Sequence, residues 1–219
     1  MIFAVRDRYE RELACLQRFI SPGMVVVDGG ANLGIYTVAA ASLVGATGLV
    51  LSFEPGDEAF SVLQKNIGIN HFRNVRAYRA ALFHKNGLAP LYHFNQGSNS
   101  FSLGLPKDLK CESEEVTTRT LGSVLEEQGI QRIGVIKLDV EGAEELVLQG
   151  AAEIIRDSHP KIIFEMNPKA ARRLELSETG VWRLLNSWGY KFYSLTKSYE
   201  LHPLTEPPGE GNLIAIWGS

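Results

Sequence analysis

Cysteine is scarce in this 219-residue chain: Cys15 and Cys111 are its only two. Two thiols so far apart do not build a disulfide scaffold, and the expectation is a pair of reduced thiols in a cytoplasmic protein. An excess of basic charge is missing as well. The 22 Lys and Arg residues face 25 Asp and Glu, a formal net charge of -3, whereas a nucleic-acid partner calls for a basic surface. Apolar runs able to cross a membrane are also lacking. Residues 35–53 carry no charge, but Gly45-Ala46-Thr47-Gly48 divides them into an alanine-rich piece and a short β-like piece, so no membrane span is expected. Nor is a secretory signal expected, because residues 6–11 are densely charged where its apolar core would lie.

The apolar pattern that is present predicts a single α/β domain over residues 1–219. Leu13, Leu16 and Phe19 stand at helical spacing, so 1–22 reads as an N-terminal helical segment ended by Ser21-Pro22-Gly23. Strands are expected at 25–27, 49–53, 75–82, 116–120, 134–138, 161–164, 191–195 and 213–217. Helices are expected at 34–44, 57–70, 121–128, 141–155 and 177–188. Residues 84–115 are turn-rich and polar, with "NQGSNS" (95–100) between two β-like runs, and read as an inserted hairpin or lid. Near-continuous apolar strands alternating with helices imply a mostly parallel sheet with helices on both faces. Ligands bind such sheets outside the carboxyl ends of the strands. Four of the expected strands end there on an acid: Asp28, Glu54, Asp139 and Glu165.

The glycine turn after the first strand narrows the ligand. A phosphate-binding loop needs lysine and a hydroxyl after its last glycine, and here Ile35 and Tyr36 follow Gly34. A dinucleotide loop needs G-x-G-x-x-G; glycines at 29, 30 and 34 do not fit, and Asp28 would repel a pyrophosphate. A NAD-type oxidoreductase is therefore disfavoured. Asp28-Gly29-Gly30-Ala31-Asn32-Leu33-Gly34 does match D/E-x-G-x-x-x-G, the loop that receives the cationic adenosyl-sulfonium cofactor S-adenosylmethionine. A carboxylate attracts its ammonium and sulfonium, Gly30 clears room for it, and N–H groups at the helix start suit its carboxylate. Glu54, 20 residues after Gly34, ends the next strand where a carboxylate can accept both ribose hydroxyls.

Four blocks carry a family resemblance: "VVVDGGANLGIYT" (25–37), "SFEPGDEAF" (52–60), "VIKLDVEGAEELVLQGA" (135–151) and "HPKIIFEMN" (159–167). Together they resemble the FkbM-type S-adenosylmethionine-dependent methyltransferases, over roughly residues 9–165. The resemblance implies a class I, Rossmann-like methyltransferase fold: a mostly parallel seven-stranded sheet, its last strand antiparallel, with helices on both faces. It implies transfer of a methyl group to hydroxyl oxygens of sugars or small natural products. It places Asp28, Gly30, Asn32 and Thr37 around the methionine half of the cofactor and Glu54 on the ribose. Ala80 or Ala81 would border the adenine, and Asp139 and Glu141 would face the transferable methyl. The stretch "GSNSFSL" (97–103) is a loose version of the family's serine- and asparagine-rich loop.

Methylating a hydroxyl asks for alignment together with a base or a metal. Asp139 is the first candidate at the reacting centre. Lys137 is two residues earlier on the same sheet face, and reads either as half of a Lys–carboxylate pair or as a catalytic lysine. Asp139, Glu165 and Asn167 form the alternative, an oxygen set for a divalent ion such as Mg²⁺, which is not the favoured reading. His84, His93 and His202 fall in expected loops, Trp182 and Trp188 read as packing, and Tyr9 and Glu10 could reach over the cofactor. The expected acceptor is a small hydroxylated molecule. A carboxylate or an RNA ribose hydroxyl is the alternative, with RNA disfavoured by the acidic balance.

Overall fold

The computed structural model describes residues 11–94, 100–103 and 112–218. The chain opens with helix α1 (Arg11–Cys15) and a 3-10 turn (Leu16–Arg18), followed by β1 (Val25–Gly29) and α2 (Ile35–Val44). Next come β2 (Leu49–Phe53), α3 (Asp57–Ile69), β3 (Val75–Tyr78) and β4 (Ala81–Leu82), then β5 (Gly87–Phe94), β6 (Ser100–Ser102) and β7 (Ser113–Arg119). The second half contains α4 (Leu121–Glu127), β8 (Val135–Leu138), α5 (Glu144–Gln149), α6 (Ala152–Ser158), β9 (Lys161–Met166) and α7 (Pro168–Arg173). It closes with α8 (Gly180–Ser187), β10 (Tyr190–Leu195), β11 (Leu201–Leu204) and β12 (Gly211–Trp217).

The main sheet has the order β11-β10-β12-β9-β8-β1-β2-β3. The five strands from β9 to β3 run parallel; β12 is antiparallel to both β9 and β10. Alternation along the central strands builds two cores. Val26, Val50, Val135 and Ile163 face one layer with Leu16 and Tyr36. Val27, Leu51, Ile136 and Ile162 face the other with Leu148 and Trp182. Strands apolar on both faces require this double cover, and it leaves their carboxyl ends as the free rim.

Several sequence expectations change. The main sheet has eight strands rather than seven, because β11 adds an antiparallel edge to β10. The segment holds His202, expected in a loop, and its Pro203 is tolerated because β11 is an edge strand. The single strand expected at 75–82 breaks after Tyr78, and Ala81–Leu82 crosses to pair with β7. There it joins a second, four-stranded sheet of order β4-β7-β5-β6, of which β5 and β6 fall within the 84–115 insertion while β4 precedes it and β7 runs past its end. The helix expected over 141–155 is two helices. Glu141 (φ 53°) and Gly142 (φ 96°) are left-handed and precede the first, and Gly150 ends it. Helix α7 went unread despite an Asn167-Pro168 start, a cap followed by proline in the first turn. Residues 1–10 of the expected N-terminal segment, with Tyr9 and Glu10, lie outside the described residues, as do 95–99 of "NQGSNS" and Cys111. Among the described residues no helix is long and apolar enough to cross a membrane.

Candidate functional site

The glycine turn lies between β1 and α2, with Gly30 (φ 73°), Asn32 (φ 49°) and Gly34 (φ 86°) left-handed. The N–H groups of Gly30 and Ala31 both donate to the Phe53 carbonyl, at 3.0 and 2.9 Å, tying the turn to the end of β2. A Cβ at Gly30 would stand 1.8 Å from the Asp139 carbonyl oxygen. The backbone of the loop after β8 therefore gives a second reason for a glycine here, beside the room for a ligand that the sequence suggests.

A buried polar layer supports the turn from below. Thr37 Oγ1 donates to Asp28 Oδ2 at 2.6 Å and lies 2.8 Å from Ser52 Oγ. Lys137 Nζ donates to the Gly30 carbonyl at 3.1 Å and sits 3.5 Å from Asp139 Oδ2 and 3.8 Å from Asp28 Oδ1. It also lies over the Tyr36 ring. Burial pushes the Asp28 carboxyl up from its ordinary range, and the Lys137 ammonium and the Thr37 hydroxyl pull against that shift. Asp28, Thr37 and Lys137 are buried beneath the cleft rather than lining it, and Gly34 and Ala80 also do not line it. Gly34 instead packs on α3, where a Cβ would meet Leu63 Cδ1 at 2.5 Å.

Above this layer a cleft opens at the carboxyl ends of β1, β2 and β8. It brings together six of the sequence-predicted residues: Gly30, Asn32, Glu54, Ala81, Asp139 and Glu141. Phe53, Pro55 and Leu82 add an apolar wall, with Leu91 and Leu103 contributed by the second sheet's insertion. Glu54 is 5% exposed, and both its oxygens are held: Oε2 accepts the Asn32 N–H at 2.8 Å and Oε1 the Gly56 N–H at 2.9 Å. Burial raises its pKa, while those two N–H groups act the other way.

The 139–143 loop forms the facing rim. The Asp139 N–H extends the sheet by donating to the Gly29 carbonyl at 3.0 Å. Behind the loop, Glu144 is 3% exposed, and its Oε1 accepts the Val140 N–H at 3.0 Å and the Gly142 N–H at 3.4 Å. Burial pushes the Glu144 carboxyl up to about 8. Glu165 rises to about 7, through burial and then the negative charges of Asp139 and Glu141. Glu165 and Asn167 line a small crevice with Glu144, apart from the cleft that Asp139 lines. Asn167 Oδ1 is engaged as the cap of α7, accepting the Ala170 N–H at 3.1 Å. Among the described residues no group of three or more His, Cys, Asp and Glu is arranged to hold a metal ion. Of the oxygen set Asp139, Glu165 and Asn167, Asp139 lines the cleft while Glu165 and Asn167 line the crevice behind it.

Sequence reasoning missed Glu144 and Ser52. The sequence places Glu144 three and four residues before Val147 and Leu148, but the helix expected from residue 141 puts it inside rather than at the start; Ser52 gave no signal, since only its register opposite Asp28 brings it to Thr37. The tryptophans pack as expected, with Trp182 stacked 3.7 Å from Phe192. None of the three candidate histidines lines the cleft.

A methyltransferase FkbM domain model matches residues 28–192. The chain is 29% identical over 152 residues to Methyltransferase sdnD of Sordaria araneosa, an alignment covering 56% of this chain and 58% of that protein. It therefore spans little more than half the length of that curated relative. In fold it is similar to a methyltransferase FkbM from Methylobacillus flagellatus, with TM-score 0.58 and 15% identity, covering 90% of this chain and 44% of that one. It is also similar to an O-methyltransferase from Bacillus cereus in complex with SAH, with TM-score 0.54 and 12% identity, covering 95% of this chain and 80% of that one. The sequence match runs from Asp28 under the glycine turn to Phe192 in β10, and the chain belongs to the FkbM methyltransferase family.

Proposed function

We propose that this chain is an S-adenosylmethionine-dependent methyltransferase that methylates a hydroxyl oxygen of a small acceptor, a natural product or a sugar. Glu54 carries this reading. Each of its oxygens already accepts one backbone N–H, and a carboxylate oxygen keeps a second lone pair for a ribose hydroxyl. The two acceptors are thereby spaced before any ligand arrives. Charge supports the same ligand. Glu54, Asp139 and Glu141 line the cleft, and among the described residues no lysine or arginine does. Such a lining attracts a sulfonium and an ammonium and opposes the phosphates of a dinucleotide or triphosphate. Two comparisons fit: the sdnD relative is named a methyltransferase, and the Bacillus cereus structure holds SAH.

Bound in this cleft, the cofactor would supply an electrophilic methyl group on a sulfonium whose sulfur leaves as a neutral thioether. Glu54 would hold the ribose, Ala81 would border the adenine, and Gly30 and Asn32 would lie along the methionine half. Asp139, its side chain 38% exposed, is the group placed to take the proton from an acceptor hydroxyl at the rim, with Glu141 beside it. Lys137 lies below and acts by positioning, since its ammonium holds the Gly30 carbonyl and pairs with the Asp139 carboxylate. Alignment in the cleft supplies the larger share of the acceleration and the carboxylate base about 10²–10⁴-fold. The apolar wall of Phe53, Leu82, Leu91 and Leu103 suits the carbon skeleton of a natural product.

Incubation with methyl-labelled S-adenosylmethionine and separate pools of hydroxylated small molecules, carboxylates and RNA tests the acceptor. Label on a hydroxyl supports the reading; label confined to carboxylates or RNA moves the acceptor to that class. Binding of NADH without binding of S-adenosylhomocysteine overturns the cofactor assignment itself.

A further inference from the structure

The rim that carries Asp139 and Glu141 is held in an uncommon backbone shape. Glu141 is a non-glycine residue at φ 53°, followed by Gly142 at φ 96°. Left-handed residues of this kind persist where their surroundings hold them. Two contacts do so from outside. A Cβ at Gly142 would stand 2.4 Å from the Ala170 carbonyl carbon, so α7 backs the loop on one side. From the other side Glu144 Oε1 accepts the N–H groups of Val140 and Gly142, at 3.0 and 3.4 Å.

Glu144 is a costly residue for stability alone. It is 3% exposed, it shares a crevice with Glu165, and its neighbours Val147 and Leu148 belong to the apolar core. An apolar side chain of that size would be easier to bury there. What its side-chain oxygen offers and an apolar side chain does not is an acceptor for two N–H groups outside its own helix, one on each side of Glu141. We propose that Glu144 is a positioning residue: it clamps the 139–142 backbone and thereby fixes where Asp139 and Glu141 meet the cleft. This rests on the methyltransferase reading only in the ligand that the cleft receives.

The test compares the wild-type chain, Glu144→Ala and Glu144→Gln by hydrogen exchange at the Val140 and Gly142 amides and by calorimetric titration with S-adenosylhomocysteine. Gln keeps a side-chain carbonyl at the Oε1 position, so it should rescue what Ala loses. In the wild type both amides should exchange as slowly as the β8 ladder. In E144A they should exchange at least tenfold faster while β8 is unchanged, and affinity should fall about tenfold; E144Q should keep both within about threefold of wild type. Fast exchange at both amides in the wild type overturns the clamp, whether or not E144A folds. A folded E144A with wild-type affinity overturns its role at the site, and so does an E144Q that binds tenfold more weakly than wild type. Absence of binding by the wild type contradicts the methyltransferase reading instead, and the exchange rates still test the clamp.

Discussion

Substituting Gly30 with alanine separates two reasons for a glycine that sequence alone confounds. The new methyl would lie 1.8 Å from the Asp139 carbonyl oxygen and 2.8 Å from its carbon. Both are backbone atoms of a loop already anchored by the Asp139 N–H on Gly29, so no side chain can swing aside. The left-handed φ of 73° adds a strain of about 1–2 kcal/mol, and the overpacking about 1–3 kcal/mol. Gly129 is the control: it too is left-handed, at φ 64°, and a methyl there would have nothing within 4 Å, so Gly129→Ala carries the strain without the clash. Urea denaturation should therefore show Gly30→Ala less stable than Gly129→Ala by about 1–3 kcal/mol. Calorimetry should also show weaker S-adenosylhomocysteine binding in Gly30→Ala alone, because the glycine turn and the acid loop are pushed apart. Equal stabilities of the two variants, with wild-type affinity in both, would refute the backbone-contact account of this glycine.

The pH dependence of stability has a defined sign. Glu144 and Glu165 rise from 4.5 to about 8 and about 7, so the folded chain binds more protons than the unfolded chain between those limits. Their contribution is complete below about pH 4.5 and is lost as pH rises through 7–8. Thermal melts from pH 5 to 9 should show Glu144→Gln losing less stability than wild type; parallel curves contradict the assignment. For the metal, EDTA should leave the rate of methyl transfer unchanged, because Asp139 lines the cleft whereas Glu165 and Asn167 line a separate crevice; a rate lost to EDTA and restored by Mg²⁺ would contradict that.

Local spacing made much of the cleft legible. Gly30, Asn32, Glu54, Asp139 and Glu141 stand at or just after strand ends, and a parallel sheet brings consecutive strand ends to one rim. Which side of the glycine turn a residue occupies was not legible. Asp28 and Thr37 lie below it because Asp28 is still within β1, paired beside Ser52 and Lys137, and only that register sets its burial. The break between Tyr78 and Ala81 was hidden because both halves are β-like and diverge only by their partners, β2 and β7. Leu91 and Leu103 are long-range contributions from the insertion, and no local pattern marks them as cleft residues. Glu144 was obscured by the opposite effect. Its block looked helical from residue 141, which hid the left-handed turn that the acid supports.

The most direct test of the central claim is titration of wild-type chain and Glu54→Ala with S-adenosylhomocysteine, with folding of the variant checked by circular dichroism. Loss of two charge-assisted ribose contacts, each worth about 1.5–3 kcal/mol, predicts an affinity at least about a hundredfold weaker in the variant. Saturable binding by the wild type with that loss is the predicted result. Equal affinity of the two proteins, or no binding by the wild type, contradicts the placement of an adenosyl cofactor at this cleft.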